Sequence, residues 1–276
     1  MGSAIGEPAL GSLRFNNKAP GGHNPVSLAR PERVMSQKAS WLHGAVRRGV
    51  SLLPRSLIRR LRDWWHVYQA VRGRLGSDEP EFHRLAEWLK PGDAVIDVGA
   101  NIGAYTLRMS QIVGPTGRVY AFEPIPDTFA SLTRNLRAVG ATNVTLFNAA
   151  CGEETSLVGM SVPDDPDGLP NPYLAHISKS PMALNALCVQ VDALQLRERI
   201  ALVKIDAEGF DDRVVFGMRK LLARSLPRII IESRNAAVES TLAELGYVLV
   251  DDPKSPNALF EAKRQKPQSE STAVRA

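Results

Sequence analysis

Acidic side chains stand at or beside the carboxyl ends of three short apolar runs, each followed by glycine or proline. Asp97 lies within Ile96-Asp-Val-Gly-Ala-Asn-Ile-Gly103. Glu123 closes the run from Arg118 to Phe122 ahead of Pro124, and Asp206 and Glu208 follow Ala201 to Ile205 in Asp206-Ala-Glu-Gly209. Runs this short and this apolar suit strands buried on both faces, and ligands of a parallel sheet bind beyond the carboxyl ends of its strands. A carboxylate placed there can accept hydrogen bonds from sugar hydroxyls or take a proton from a reacting group. Gly99 and Gly103 let the backbone turn tightly against a ligand, while the helical pattern that follows points its unpaired N–H groups at the same spot.

The spacing narrows the nucleotide. A dinucleotide fingerprint wants glycine at its first, third and sixth positions, where this chain has Gly99, Asn101 and Ala104. That weakens a nicotinamide cofactor without excluding it. Glu123 follows at roughly the twenty-residue offset of a ribose-binding acid, which suits any adenosine ligand.

Ile96-Asp-Val-Gly-Ala-Asn-Ile-Gly103, Ala121-Phe-Glu-Pro124 and Val203-Lys-Ile-Asp-Ala-Glu-Gly209 occur in this order and at this separation. Together they resemble the FkbM family of S-adenosylmethionine-dependent methyltransferases over about residues 80 to 250. The glycine turn is common to many such enzymes; the Ile-Asp-x-Glu-Gly piece is the more particular. The resemblance implies an α/β, Rossmann-like class I methyltransferase with a seven-stranded, mostly parallel sheet and helices on both faces. It implies S-adenosyl-L-methionine as cofactor, with Asp97, Gly99, Asn101 and Gly103 around the methionine part and Glu123 on the ribose hydroxyls. Asn148, at the end of the third strand, would contact the adenine directly or through the backbone of Ala149. Asp206 is expected in the cleft as a cofactor contact or a catalytic acid/base, Glu208 as a catalytic candidate and His176 as a third.

Methyl transfer from a sulfonium is an in-line displacement that demands orientation, not a metal or a covalent intermediate. The acceptor implied is a hydroxyl of a sugar or secondary metabolite, small molecule or glycan. Each residue has a plainer reading: the glycines as a structural turn, Asp206 as a loop anchor, Glu208 as a helix cap, Asn148 and His176 as polar loop residues. One departure stands out, since relatives carry Glu-x-His where this chain has Glu232-Ser-Arg234; Arg234 would offer a fixed cation to an anionic acceptor. Two other classes stay open, a nicotinamide-dependent oxidoreductase and a non-catalytic Rossmann-like binding module. Lack of a Tyr-x-x-x-Lys pair counts against the first, and three acids at strand ends against the second.

At 276 residues and 44% hydrophobic content the chain can bury a large core. Cys151 and Cys188 have no ligand-like spacing and read as reduced thiols of a cytoplasmic protein. No apolar run approaches a membrane span, and the first thirty residues lack a signal-peptide core. The net charge of +5 is uneven: residues 1–74 hold 13 Lys and Arg against 3 acids, leaving the remainder mildly acidic. That acidic remainder gives no reason to expect nucleic acid.

The elements that would position these residues follow from periodicity. Residues 1–36 are expected as a disordered arm and 264–276 as a disordered tail. Residues 37–77 read as a basic amphipathic helical extension, in which Leu57, Leu61, Trp64, Tyr68 and Val71 form a stripe widened by Ile58 and Trp65. That stripe would pack on the catalytic domain or on a second copy of the chain; over residues 40–75 it would otherwise rest peripherally on an anionic membrane. The methyltransferase-like domain is bounded at 78–263. Helices are expected at 78–90, 103–113, 126–139, 211–224 and 236–245, with strands at 94–98, 118–122, 144–148, 201–205, 228–231, 247–250 and 258–262. Residues 152–187 show no regular period, and the Pro- and Asp-rich part at 163–172 reads as a substrate lid.

Overall fold

A computed structural model of the chain describes residues 54–163, 176–177, 184–232, 235–250 and 255–263. The expected arm, the extension ahead of Pro54, most of the expected lid, Ser233, Arg234 and the expected tail lie outside the described residues. Numbered in chain order, seven strands form one sheet: β1 (Ala94–Val98), β2 (Arg118–Phe122), β3 (Val144–Phe147), β8 (Ile200–Ile205), β9 (Arg228–Ile231), β10 (Tyr247–Val250) and β11 (Ala258–Ala262). Their order is β10-β11-β9-β8-β1-β2-β3. Every described pairing is parallel except those of β11, which is antiparallel to β9 and β10.

The central strands are apolar on both faces because helices cover both. Ile96, Val98, Val203, Ile205, Ile229 and Ile231 join one buried cluster with Val214, Met218, Leu222 and Leu242, from helices α5 (Asp211–Gly217) and α7 (Ala236–Glu244) and the segment between them. Val95, Val119, Ala121, Leu202 and Ile230 join the other, with Leu85 of α2 (Pro80–Trp88), Leu107 and Met109 of α3 (Ala104–Val113) and Leu132 of α4 (Pro126–Ala138). Each fully buried aliphatic side chain of this kind contributes about 1.5–3 kcal/mol, which holds the strand ends in fixed register. The switch in strand order lies at β1, between β8 and β2, so the crevice falls at their carboxyl ends. This is a Rossmann-like fold, a seven-stranded, mostly parallel sheet with helices on both faces.

Three readings need correction. First, residues 211–224 are not one helix: α5 ends at Gly217 and α6 (Arg219–Ser225) starts afresh. Both carboxylate oxygens of Asp192, on a 3-10 turn at Val191–Leu194, accept N–H groups of Lys220 and Leu221 at 2.9 Å each, so a distant side chain caps a new N-terminus there. Second, the irregular stretch contains a further sheet, β4 (Ala150–Cys151), β5 (Ser156–Ser161), β6 (His176–Ile177) and β7 (Leu184–Val189), in the order β4-β7-β5-β6. Gly159 lies opposite Asn185 and interrupts the apolar alternation of both strands, which hides them from a reading by period.

Third, the Trp stripe of α1 (Arg55–Val71) does not pack on the catalytic domain. The helix docks on α4 by another face. Arg59 meets Asp127 at 3.2 Å, Asp63 accepts from Ser131 Oγ at 2.9 Å and from Arg134 at 2.7 Å, and Ala70 is buried. Leu57, Leu61, Trp64, Trp65 and Val71 are left exposed.

Candidate active site

The turn after β1 is built on a glycine that nothing else could replace. Gly99 has φ +74°, and a Cβ there would lie 2.0 Å from the carbonyl oxygen of Asp206. Strand ends β1 and β8 therefore touch, and the Asp206 N–H donates to the Val98 carbonyl at 3.1 Å. The N–H groups of Gly99 and Ala100 both donate to the Phe122 carbonyl, at 3.0 and 2.9 Å, which ties the same turn to β2. Asn101 is left-handed, with φ +51°, and its Oδ1 accepts the Ile102 N–H at 2.8 Å. Asparagine tolerates this conformation better than most side chains.

Glu123 is fixed by that turn. One carboxylate oxygen accepts the Asn101 N–H and the other the Ile125 N–H, each at 2.9 Å. It is 5% exposed, and burial raises its pKa to about 7, against the pull of the two N–H donors. Each carboxylate oxygen keeps a second acceptor site. The Asn148 amide donates to the carbonyls of Glu123 at 2.8 Å and Pro124 at 3.2 Å, so it anchors the Glu123 backbone, while neighbouring Ala149 lines the cleft. Gly103 is likewise a packing residue. It begins α3 at φ +99°, and a Cβ would come within 2.6 Å of Leu132.

The cleft is open to solvent, with about 600 Å³ of empty space between its walls. Gly99, Asn101 and Glu123 line it on one side and Asp206 and Glu208 on another, with Ile125, Ala149, Met160 and Phe210 as apolar walls. Met160 comes from the second sheet, so the stretch that looked irregular supplies a wall. The backbone of His176 pairs with Ser161 one residue beyond Met160, and its side chain lies outside the described residues. Glu208 has φ +48°, a left-handed conformation costly for a non-glycine residue and the kind of strain that gathers at functional sites.

Beneath the cleft lies a residue that the sequence reading passed over. Lys204 sits in the apolar run of β8, buried, with its ammonium 3.0 Å from Asp206 Oδ2 and 5.0 Å from the ring centre of Tyr105. A lysine within six otherwise apolar residues was the available signal. Burial pulls its pKa down, but Asp206, Asp97 and Glu79 outweigh burial and leave it raised, so the ammonium stays charged. Asp97, also buried, accepts the Thr106 hydroxyl at 2.5 Å on one oxygen, while its other oxygen has no hydrogen-bond partner among the described residues. Burial raises its pKa, with Lys204 opposing. Asp97 thus stands behind the cleft wall and not on it. Carboxylate oxygens of Asp206, Glu208 and Glu232 lie within 4.8 Å of one another, and Lys204 brings a positive charge to the Asp206 end of this group.

Residues 97–249, from β1 to β10, match the methyltransferase FkbM domain. This chain belongs to the FkbM methyltransferase family. It is 51% identical over 47 residues to the 31-O-demethyl-FK506 methyltransferase FkbM of Streptomyces tacrolimicus, which is 17% of this chain and 18% of that one. It is 40% identical over 59 residues to the protein-L-isoaspartate O-methyltransferase of Ignicoccus hospitalis, 21% of this chain and 28% of the relative. The alignments thus span 18% and 28% of these relatives' lengths. Among solved structures it is similar to the methyltransferase FkbM of Methylobacillus flagellatus KT, with a TM-score of 0.46 at 15% identity over 72% of this chain and 59% of that one.

The cofactor of this FkbM domain is S-adenosylmethionine, and the residues present fit it. Glu123 has acceptor sites left for two ribose hydroxyls, the apolar walls suit an adenine, and Gly99 leaves backbone bare where a side chain would intrude.

Proposed function

We propose that this FkbM-family chain methylates an oxygen, the hydroxyl of a sugar or secondary metabolite, with Glu208 as the group that takes the proton. The observation that carries this reading is the acidic side of the cleft, where Asp206 and Glu208 face the same space that Glu123 lines. S-adenosylmethionine supplies the electrophilic methyl carbon, whose bond to sulfur breaks as the bond to the acceptor oxygen forms. Glu123 holds the nucleotide end in place. Lys204 takes one oxygen of Asp206 at 3.0 Å, which turns that carboxylate to orienting work: a cofactor amine or an acceptor hydroxyl. Glu208 is then the better-placed base, and a positioned base contributes typically 10²–10⁴ in rate. His176, one strand pairing away from Met160, is the alternative base.

A second reading comes from the isoaspartate relatives, whose name implies a carboxylate acceptor. Release of S-adenosylhomocysteine measured on a panel of sugar and metabolite alcohols, beside an isoaspartyl peptide, tests the choice. Turnover with an alcohol, reduced about 10²-fold or more by Glu208→Gln with cofactor affinity intact, supports the proposal. Turnover with the peptide alone would overturn it.

A further inference from the structure

The face of α1 that turns away from the domain is apolar, aromatic and ringed by arginine. Trp64 is 64% and Trp65 51% exposed, and Leu57, Leu61 and Val71 are exposed beside them. Tyr68 stacks between the two tryptophans, at 5.7 and 5.6 Å between ring centres, so the aromatic group is ordered by its own contacts. On a helix of this period the six side chains share one side, with Arg60 and Arg62 at its edges and Arg72 at its end, all exposed. The helix has a single acid, Asp63, and that acid is turned inward to Ser131 and Arg134. The outward surface is therefore apolar and cationic, with no carboxylate of its own.

Charge decides among occupants. A second copy meeting this face with its own would set arginine against arginine, and residues 1–53 of the same chain carry 7 Lys and Arg against 2 acids, so they repeat the helix's own sign. Nucleic acid could stack on Trp64 and Trp65, but gains nothing from Leu57, Leu61 and Val71. An anionic lipid surface satisfies both properties at once: tryptophan settles at the headgroup level, leucine and valine enter the acyl boundary, and arginines meet the phosphates. We propose that α1 docks this protein on an anionic membrane, lying in the plane of the interface with the Trp64–Trp65 face down. This does not rest on the nature of the methyl acceptor.

Flotation of the full chain with vesicles of phosphatidylcholine plus phosphatidylglycerol, against phosphatidylcholine alone, tests the proposal, with S-adenosylhomocysteine binding as a check on folding. The expected result is flotation with anionic vesicles only, weakened by salt, and reduced at least about tenfold by Trp64→Ser with Trp65→Ser and, separately, by Arg60→Gln with Arg62→Gln. Cofactor binding stays unchanged in both variants. Absence of flotation, equal flotation with neutral vesicles, or flotation that both variants retain would each overturn it. So would self-association abolished by the tryptophan variant without any vesicle binding, since the face would then belong to a second copy.

Discussion

Glu123 and Asp206 end neighbouring parts of the same sheet and line the same cleft, yet they are held in opposite ways. Glu123 is nearly sealed from solvent, has no cation beside it among the described residues, and is fixed by two backbone N–H groups, so burial wins and its pKa rises to about 7. Asp206 keeps about a third of its side chain exposed and has a buried ammonium at 3.0 Å. Backbone donors hold the one carboxylate in place; a buried ammonium holds the other. The nucleotide side of the cleft is thus a rigid acceptor frame, and the other side a charged one.

The comparison can be broken most severely at Lys204. Lys204→Met removes the ammonium beside buried Asp97 and part-exposed Asp206, and the expected cost is roughly 3 kcal/mol, the lower end for a broken buried pair because Asp206 still reaches water. Thermal unfolding of the variant against the native protein measures it, and an unchanged midpoint would show that the ammonium does not hold these acids. Next in size, Glu123→Ala should weaken S-adenosylhomocysteine by about 100-fold in calorimetric titration, the loss of hydrogen bonds to a charged acceptor, while leaving the fold intact.

The same frame has a sign with pH. Because the pKa of Glu123 is raised, the folded protein holds that proton between about 4.5 and 7 more tightly than the unfolded chain, so this group's contribution to stability falls as pH climbs through that window. Cofactor binding runs the other way: hydroxyls donate to the carboxylate, so affinity should rise by up to about tenfold per pH unit as pH approaches 7 and then level off. Titrations between pH 5.5 and 8 should lose this slope in Glu123→Gln; a slope that survives would assign it to another group. The smallest effect is expected from Asn148→Ala, which removes two donors to the Glu123 and Pro124 carbonyls. About 1 kcal/mol in stability, with a severalfold weaker cofactor, would mark Asn148 as a support of the frame. A loss as large as that of Glu123→Ala would make it a direct contact.

The sequence by itself determined the order of the seven main strands along the chain, the glycine turn after β1 and the acids at the strand ends. These are legible because a strand covered on both faces must be apolar in a short run, and because only glycine tolerates Gly99's conformation and the approach of Asp206. It also held the family motifs in register. Tertiary structure alone decided four things. Asp97 went behind the cleft and Asn148 onto a carbonyl, since a side chain's direction beyond a strand end has no period to betray it. Asp192 cut one expected helix into two through contacts 28 and 29 residues away. The second sheet arose from pairing that Gly159 and Asn185 mask in each strand alone. The Trp stripe of α1 turned outward because hydrophobic periodicity finds an apolar face but not what it faces; the polar contacts of Arg59 and Asp63 with α4 fixed the rotation instead.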